Sequence, residues 1–318
     1  MESQEEPKFR FKSTPIGLMI IILAVPCLTI QPSLGKTNNA PGHSNRQPTS
    51  RADGSAPEYQ YGFSTRTVQN LLMADQIEKL RTLMAETPPH SGDADYRKLL
   101  EAAALAADND FERATVIFEK LKNLDKADPY IVCLAARSYA NMQQPLRAIA
   151  LCSTVIAKHP WSYPYTIRAG CYMELGRYAD AAQDYLSIGK LEPATAESNT
   201  AKAAKALLDG NNPALGLKLI DQYLAKNGAM KGATIRGSRA LCLAKLGRYQ
   251  EAADAFSESI IFIKRTVKND LERTAYLNNV YSERAKCYDK LGKTTQAAAD
   301  RQTVRNLSND AYKEMLGK

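Results

Sequence analysis

The 318-residue sequence has only three His, one Trp and six well-separated Cys, and each scarcity excludes something. Zinc modules and most metalloenzymes need clustered ligands. His43, His90 and His159 have no second His or Cys at ligand spacing, and no His-Glu-x-x-His occurs. Gly-x-Gly-x-x-Gly is absent too. Gly292-Lys293-Thr294 ends like a phosphate loop, but Cys287 stands where that loop's first Gly must be. No five like charges run together: Lys+Arg 42 against Asp+Glu 34 leaves +8, spread along the chain, unlike a nucleic-acid arm. Asp180, Asp184 and Glu192 fall at spacings expected of solvated helix surface, too little for paired-carboxylate catalysis. The expectation is a chain with no metal, no cofactor and no catalytic residue, and therefore not an enzyme. What remains is 44% hydrophobic and 24% charged, enough for a folded core.

Apolar runs are scarce as well, with one exception near the start. Ile16 to Ile30 reads IGLMIIILAVPCLTI, behind Lys8, Arg10 and Lys12. As a helix rising about 1.5 Å per residue it spans roughly 22 Å, short of a hydrocarbon core of about 30 Å. With small residues at Ser33 and Gly35, residues 1–35 fit either a cleaved export signal or a retained, tilted membrane anchor. Both place the rest of the chain outside the cytoplasm (periplasmic, cell-surface or secreted), as the basic flank also favours. Residues 36–60, rich in Pro, Gly, Ser and Asn, cannot bury enough apolar surface to order themselves and read as a disordered linker.

The remainder repeats. Small residues stand in pairs twelve apart: Ala102 with Ala114, Ala136 with Ala148, Ala169 with Ala181, Ala204 with Gly216, Ala240 with Ala252, and Ala285 with Ala297. Successive pairs are offset by 34, 33, 35, 36 and 45 residues. Large apolar residues follow three after the first member, as at Tyr139, Tyr172 and Leu243. Three- and four-residue spacing keeps such side chains on one helix face, and small residues let two axes cross closely. Gly176, Gly247 and Gly292 suit the left-handed residue that closes a helix. Each unit is thus a helical hairpin that must stack on its neighbours to bury its apolar face.

These residues resemble a known family. Tyr165, Ala169, Tyr172, Gly176, Tyr178, Ala181, Tyr185 and Pro193 match the aromatic, small, Gly and Pro positions of a tetratricopeptide repeat (TPR). Ala240, Gly247, Tyr249, Ala252 and Phe256 match nearly as well, while Gly216 and Arg301 depart from the pattern. The resemblance implies an all-α fold, a right-handed superhelix of about six hairpins over 95–318, with terminal capping helices. Residues 61–94 are expected to supply one cap, as a single amphipathic helix over 64–86, and Asp310 to Leu316 the other. The 45-residue step from Ala240 to Ala285 lengthens one hairpin, with its turn at Lys268-Asn269-Asp270. Its Ile260, Ile261, Phe262, Ile263 and Val267 read as core or as surface for a partner.

The family's geometry further implies a concave groove lined by first helices, with Tyr130, Arg137, Tyr163, Lys202, Lys205 and Lys286 facing it. That basic and aromatic set suits an acidic or C-terminal peptide segment. The family is a binding scaffold, so the expected partner is a protein or peptide, with the membrane added if the N-terminal segment is uncleaved. No nucleic acid and no small-molecule substrate are expected. Alternatives are an envelope-associated assembly or chaperone subunit, an enzyme accessory subunit, and, less favoured, a helical-repeat RNA binder. Cys171, Cys242 and Cys287 share one repeat position and read as small packing residues. Cys133 and Cys152 lie symmetrically about a hairpin turn, where export permits a disulfide.

Overall fold

The structure, a computed structural model, describes residues 59–60, 63–90, 93–228 and 232–315. The segment Ile16 to Ile30 and most of the linker lie outside the described residues. Among those described, no helix is long and apolar enough to cross a membrane. A short strand pair comes first, with β1 (Tyr59–Gln60) antiparallel to β2 (Phe63–Ser64). Helical hairpins then follow one another. They are α1 (Thr65–Met73) with α2 (Ile77–Glu86), and α3 (Ala94–Ala107) with α4 (Phe111–Phe118). Next come α5 (Pro129–Asn141) with α6 (Pro145–Lys158), and α7 (Ser162–Glu174) with α8 (Tyr178–Leu191). The last three are α9 (Ala196–Asp209) with α10 (Pro213–Asn227), α11 (Ala233–Lys245) with α12 (Tyr249–Thr266), and α13 (Asp270–Lys290) with α14 (Thr294–Met315). Each helix packs on the next in sequence, as a solenoid requires.

The paired small residues explain why each hairpin closes. All twelve are buried, where they let the two helices of a hairpin approach. Gly216 shows how tight the crossing is, since a Cβ there would meet the Ala204 carbonyl oxygen at 3.0 Å and Cys242 Sγ at 3.1 Å. Seven residues after each first small position the chain turns left-handed, at Asn109, Gln143, Gly176, Asn211, Gly247 and Gly292, with φ between 57° and 77°. The next residue's N–H then donates to the carbonyl five residues back at 2.8–3.0 Å, for example Arg177 to Tyr172, which satisfies a helix-terminal acceptor. Asn tolerates this conformation because its short polar side chain bonds locally, and Gly has no Cβ to clash. Gln143 adopts it with neither advantage.

This turn corrects the expected N-terminal cap. Residues 64–86 do not form one helix: the chain breaks at Asp75, φ 55°, and the Gln76 N–H donates to the Leu71 carbonyl at 2.9 Å. Asp75 lies seven residues after Val68, and Val68 lies 34 before Ala102, so α1 and α2 form a hairpin in phase with the repeats. Val68 and Leu80 hold the two crossing positions and are buried. At the other end, the expected separate cap from Asp310 onward is the unbroken continuation of α14 to Met315. Arg301 stands where other repeats have an apolar residue, and it is exposed and ion-paired to Asp289, as a terminal repeat allows. In the longer hairpin, Asn269 caps α13 by accepting the Glu272 N–H at 2.8 Å. Ile260 and Ile263 are core, Phe262 is half-buried beneath Arg236, and Ile261 is exposed.

Two half-buried arginines tie neighbouring hairpins together. Arg168 Nε and Nη2 donate to the two oxygens of Asp184 at 2.9 and 2.7 Å, and Nη1 donates to Ser153 Oγ at 2.9 Å. Ser153 belongs to the preceding hairpin, so one guanidinium joins α6, α7 and α8. Arg284 repeats the arrangement with Asp300 at 2.8 and 2.7 Å and Ser257 at 2.8 Å. Tyr165 and Tyr172 flank Arg168, and Tyr281 and Tyr288 flank Arg284, with ring centroids 5.2–5.8 Å from the guanidinium carbon. Tyr at three before and four after places both rings on the arginine's side of the helix. Asp184, expected at a solvated surface, is therefore buried; its side chain is 4% exposed against 17% for Arg168. Asp180 does remain at the surface, paired with Arg177.

Removing one member strands the other charge, a loss of about 3–5 kcal/mol for a buried pair. Arg168→Ala is expected to lower the unfolding free energy obtained from urea denaturation by that amount, with a matching fall in the midpoint. The double variant Arg168→Met, Asp184→Leu should recover most of the loss. Equilibrium denaturation of the three proteins checks both.

Candidate functional site

The six residues expected to face the groove all lie on first helices of their hairpins: α5, α7, α9 and α13. Three converge. Tyr130 and Tyr163 are 33 residues apart, one repeat, and their rings stack at 5.8 Å with 26° between planes. Arg137 lies two helical turns along α5 from Tyr130. Its Nη2 donates to the Ala106 carbonyl at 2.6 Å and to Asn109 Oδ1 at 3.1 Å, and its guanidinium covers the Phe111 ring at 5.1 Å. Arg137 Nε is buried and takes no hydrogen-bond partner. Burial pushes both tyrosine hydroxyls above their ordinary pKa, and the nearby Arg137 charge opposes that rise. The cluster is therefore a half-buried aromatic pair beside a fixed cation, neutral tyrosines donating and accepting hydrogen bonds at physiological pH.

The three lysines do not join that cluster. Lys202 is exposed with its ammonium 6.0 Å from the Tyr185 ring centroid, and Lys205 one turn later pairs with Asp209. Lys286, on α13, pairs with Glu283 at 2.7 Å. Exposed pairs of this kind contribute little to stability, which leaves these ammonium groups available for exchange with another carboxylate. Sequence reasoning missed Asn109 and Phe111, which position Arg137 from the preceding hairpin. The signal was present, since Asn109 occupies the left-handed turn position and Phe111 opens α4.

Chemistry at the cysteines is blocked by burial. Cys133, Cys152, Cys171, Cys242 and Cys287 are buried free thiols in this structure, so Cys133 and Cys152 are not bridged here. Desolvation pushes Cys133 up to about 12, Cys171 and Cys242 up to about 11, and Cys152 and Cys287 upward as well. The thiolate is the reactive form, so these groups are inert near neutral pH.

Stacked antiparallel hairpins with a small-residue crossing and a left-handed turn define the described residues as a helical-repeat solenoid. The tetratricopeptide-repeat family model matches residues 202–264, from within α9 to within α12. No curated protein matches it in sequence. Among solved structures, a tetratricopeptide repeat protein from Parabacteroides merdae is 18% identical, over 68% of this chain and 80% of that one, with a TM-score of 0.51. MamA from MSR-1 is 15% identical over 69% and 99%, with a TM-score of 0.39. YrrB, described as a TPR protein with an unusual peptide-binding site, is 14% identical over 63% and 93%, with a TM-score of 0.41. At 18% identity the likeness to the Parabacteroides merdae protein concerns fold alone.

The burial of the thiols generates a labelling prediction. A thiol-specific reagent at pH 7.5 should modify at most one of the six cysteines in the native protein, Cys27, and all six in denaturant. Mass spectrometry of the labelled protein counts them.

Proposed function

We propose that this chain is a non-catalytic binding scaffold, exported or held at a membrane by its N-terminal segment, that captures a partner protein or peptide along its first helices. The observation that carries the reading is the Tyr130–Tyr163 stack beside Arg137. Half-buried aromatics with an arginine whose Nε lacks a partner make a preformed contact of the kind that dominates protein interfaces. Lys202, Lys205 and Lys286 extend basic character along the same series of helices, which favours an acidic or carboxyl-terminal segment as the occupant. The linker preceding Tyr59 would let the scaffold search a volume around its point of attachment.

Two measurements test this. The double variant Arg137→Glu, Lys205→Glu is expected to weaken capture of native partners at least tenfold, with wild-type capture falling as salt screens the charges. Its melting curve must stay cooperative, because Arg137 also anchors the Ala106 carbonyl. Equal recovery of the same partners by a folded variant overturns the groove reading. The N-terminus of the mature protein reports export separately. A start just after Gly35 identifies a cleaved signal, and an intact N-terminus in the membrane fraction identifies an anchor. An intact chain in the cytosol overturns both.

A further inference from the structure

A cavity of about 230 Å³ opens where α1 meets the starts of α3 and α5 and the end of α6. One part of its wall is apolar, made by Val68 and Leu72 of α1, Leu99 of α3, Ile131 and Val132 of α5, and Val155 of α6, and the rest is mainly polar or charged. α1, whose hairpin precedes the first recognised repeat, supplies one side of the cavity. It is smaller than the roughly 300–1,000 Å³ of drug-sized ligand sites, so it suits a small group or the end of a chain.

One half-buried carboxylate in this wall, Asp128, is unlike the buried acids Asp184 and Asp300. Asp128 caps α5, and its Oδ1 accepts both the Tyr130 N–H at 2.9 Å and the Ile131 N–H at 3.4 Å. Among the described residues, Oδ2 accepts no hydrogen bond and neither Lys nor Arg pairs with the group. Asp184 and Asp300, by contrast, each receive a bidentate arginine. Lys126 and Lys158 also line the cavity but are exposed and stay unpaired. With Asp125 and Asp128 they make the lining's charges cancel, leaving the Asp128 carboxylate as its one sheltered charge. Burial pushes the Asp128 carboxyl above its ordinary pKa, against the two backbone hydrogen bonds and the nearby His159. A cap alone needs no such charge, because Asn caps a helix as well as Asp does.

We propose that this cavity binds an alkylammonium group, its N–H donating to Asp128 Oδ2 and its hydrocarbon lying against Val68, Leu72 and Val155. A free small amine and the amino end of a peptide offer that same chemistry. Either supplies the cation that Asp128 lacks, and the apolar part of the wall lowers the local dielectric around the pair, which strengthens it.

The test uses the full chain and titration calorimetry with n-butylamine, and separately with a leucine-initiated peptide carrying a free or an acetylated amino terminus. At least one of the two cationic probes should bind, and the one that does identifies the source. n-Butanol and the acetylated peptide should bind at least tenfold more weakly. Asp128→Asn keeps the cap, so its melting temperature should match or exceed that of the wild type while affinity falls at least tenfold. Asp128→Ser gives the same reading should the Asn variant misfold. Lys126→Ala with Lys158→Ala should leave binding within threefold. Silence from both cationic probes, equal affinity for the neutral analogues, or undiminished binding by a folded Asp128 variant overturns the proposal.

Discussion

Everything in this molecule depends on two helices crossing closely enough that only a small residue fits between them. That contact, repeated at twelve-residue spacing, sets the angle of each hairpin and hence the face it offers the next. Bulk enters where it can be accommodated: Val68 and Leu80 hold the crossing in the first of the described hairpins. A larger residue at an internal crossing has nowhere to go, as the Ala204 carbonyl at 3.0 Å from a Gly216 Cβ shows.

That constraint is what made the fold readable. Alanine at Ala102, Ala136 and Ala169 marks a steric requirement, so its spacing survives even where other positions drift. The turn was less legible because geometry fixes it more than residue type does. Gly176, Gly247 and Gly292 announced it, whereas Asn109, Gln143 and Asn211 adopt the same left-handed conformation without glycine. The first hairpin escaped for a related reason, since its crossing is filled by Val and Leu and its turn by Asp75. A twenty-three-residue amphipathic pattern with no glycine reads as one helix, and periodicity alone cannot see a left-handed break within it.

The groove residues were legible only in part. Tyr130 and Tyr163 sit one repeat apart, so stacking follows from the fold, and Arg137 follows from its place on α5. What holds Arg137 in place was not visible, because Ala106 contributes through its carbonyl, which carries no side-chain signature. The buried Arg168–Asp184 pair was hidden differently. An Arg and an Asp sixteen residues apart look like surface charges until the hairpin is folded and the two face each other across it. The recurrence of Tyr-x-x-Arg-x-x-x-Tyr at 165–172 and 281–288 was the available clue.

These two clamps also show how this chain deals with a buried charge when structure is the purpose. The carboxylate receives two guanidinium bonds, the third guanidinium nitrogen reaches a serine on the neighbouring hairpin, and two tyrosines cover the faces. Nothing is left unpaired, as a buried ion pair demands if desolvation is to be offset. Asp128 departs from that solution within the same fold. Its backbone bonds satisfy one oxygen, and the lysines nearest in sequence point their charge to solvent. A carboxylate partly withdrawn from water, uncompensated, beside a partly apolar cavity costs stability that a neutral cap would spare. Such local conflict between what packing prefers and what the sequence supplies is characteristic of positions kept for binding rather than for folding. The contrast between Asp184 and Asp128 therefore separates the residues that build this solenoid from one that the solenoid has left open to something else.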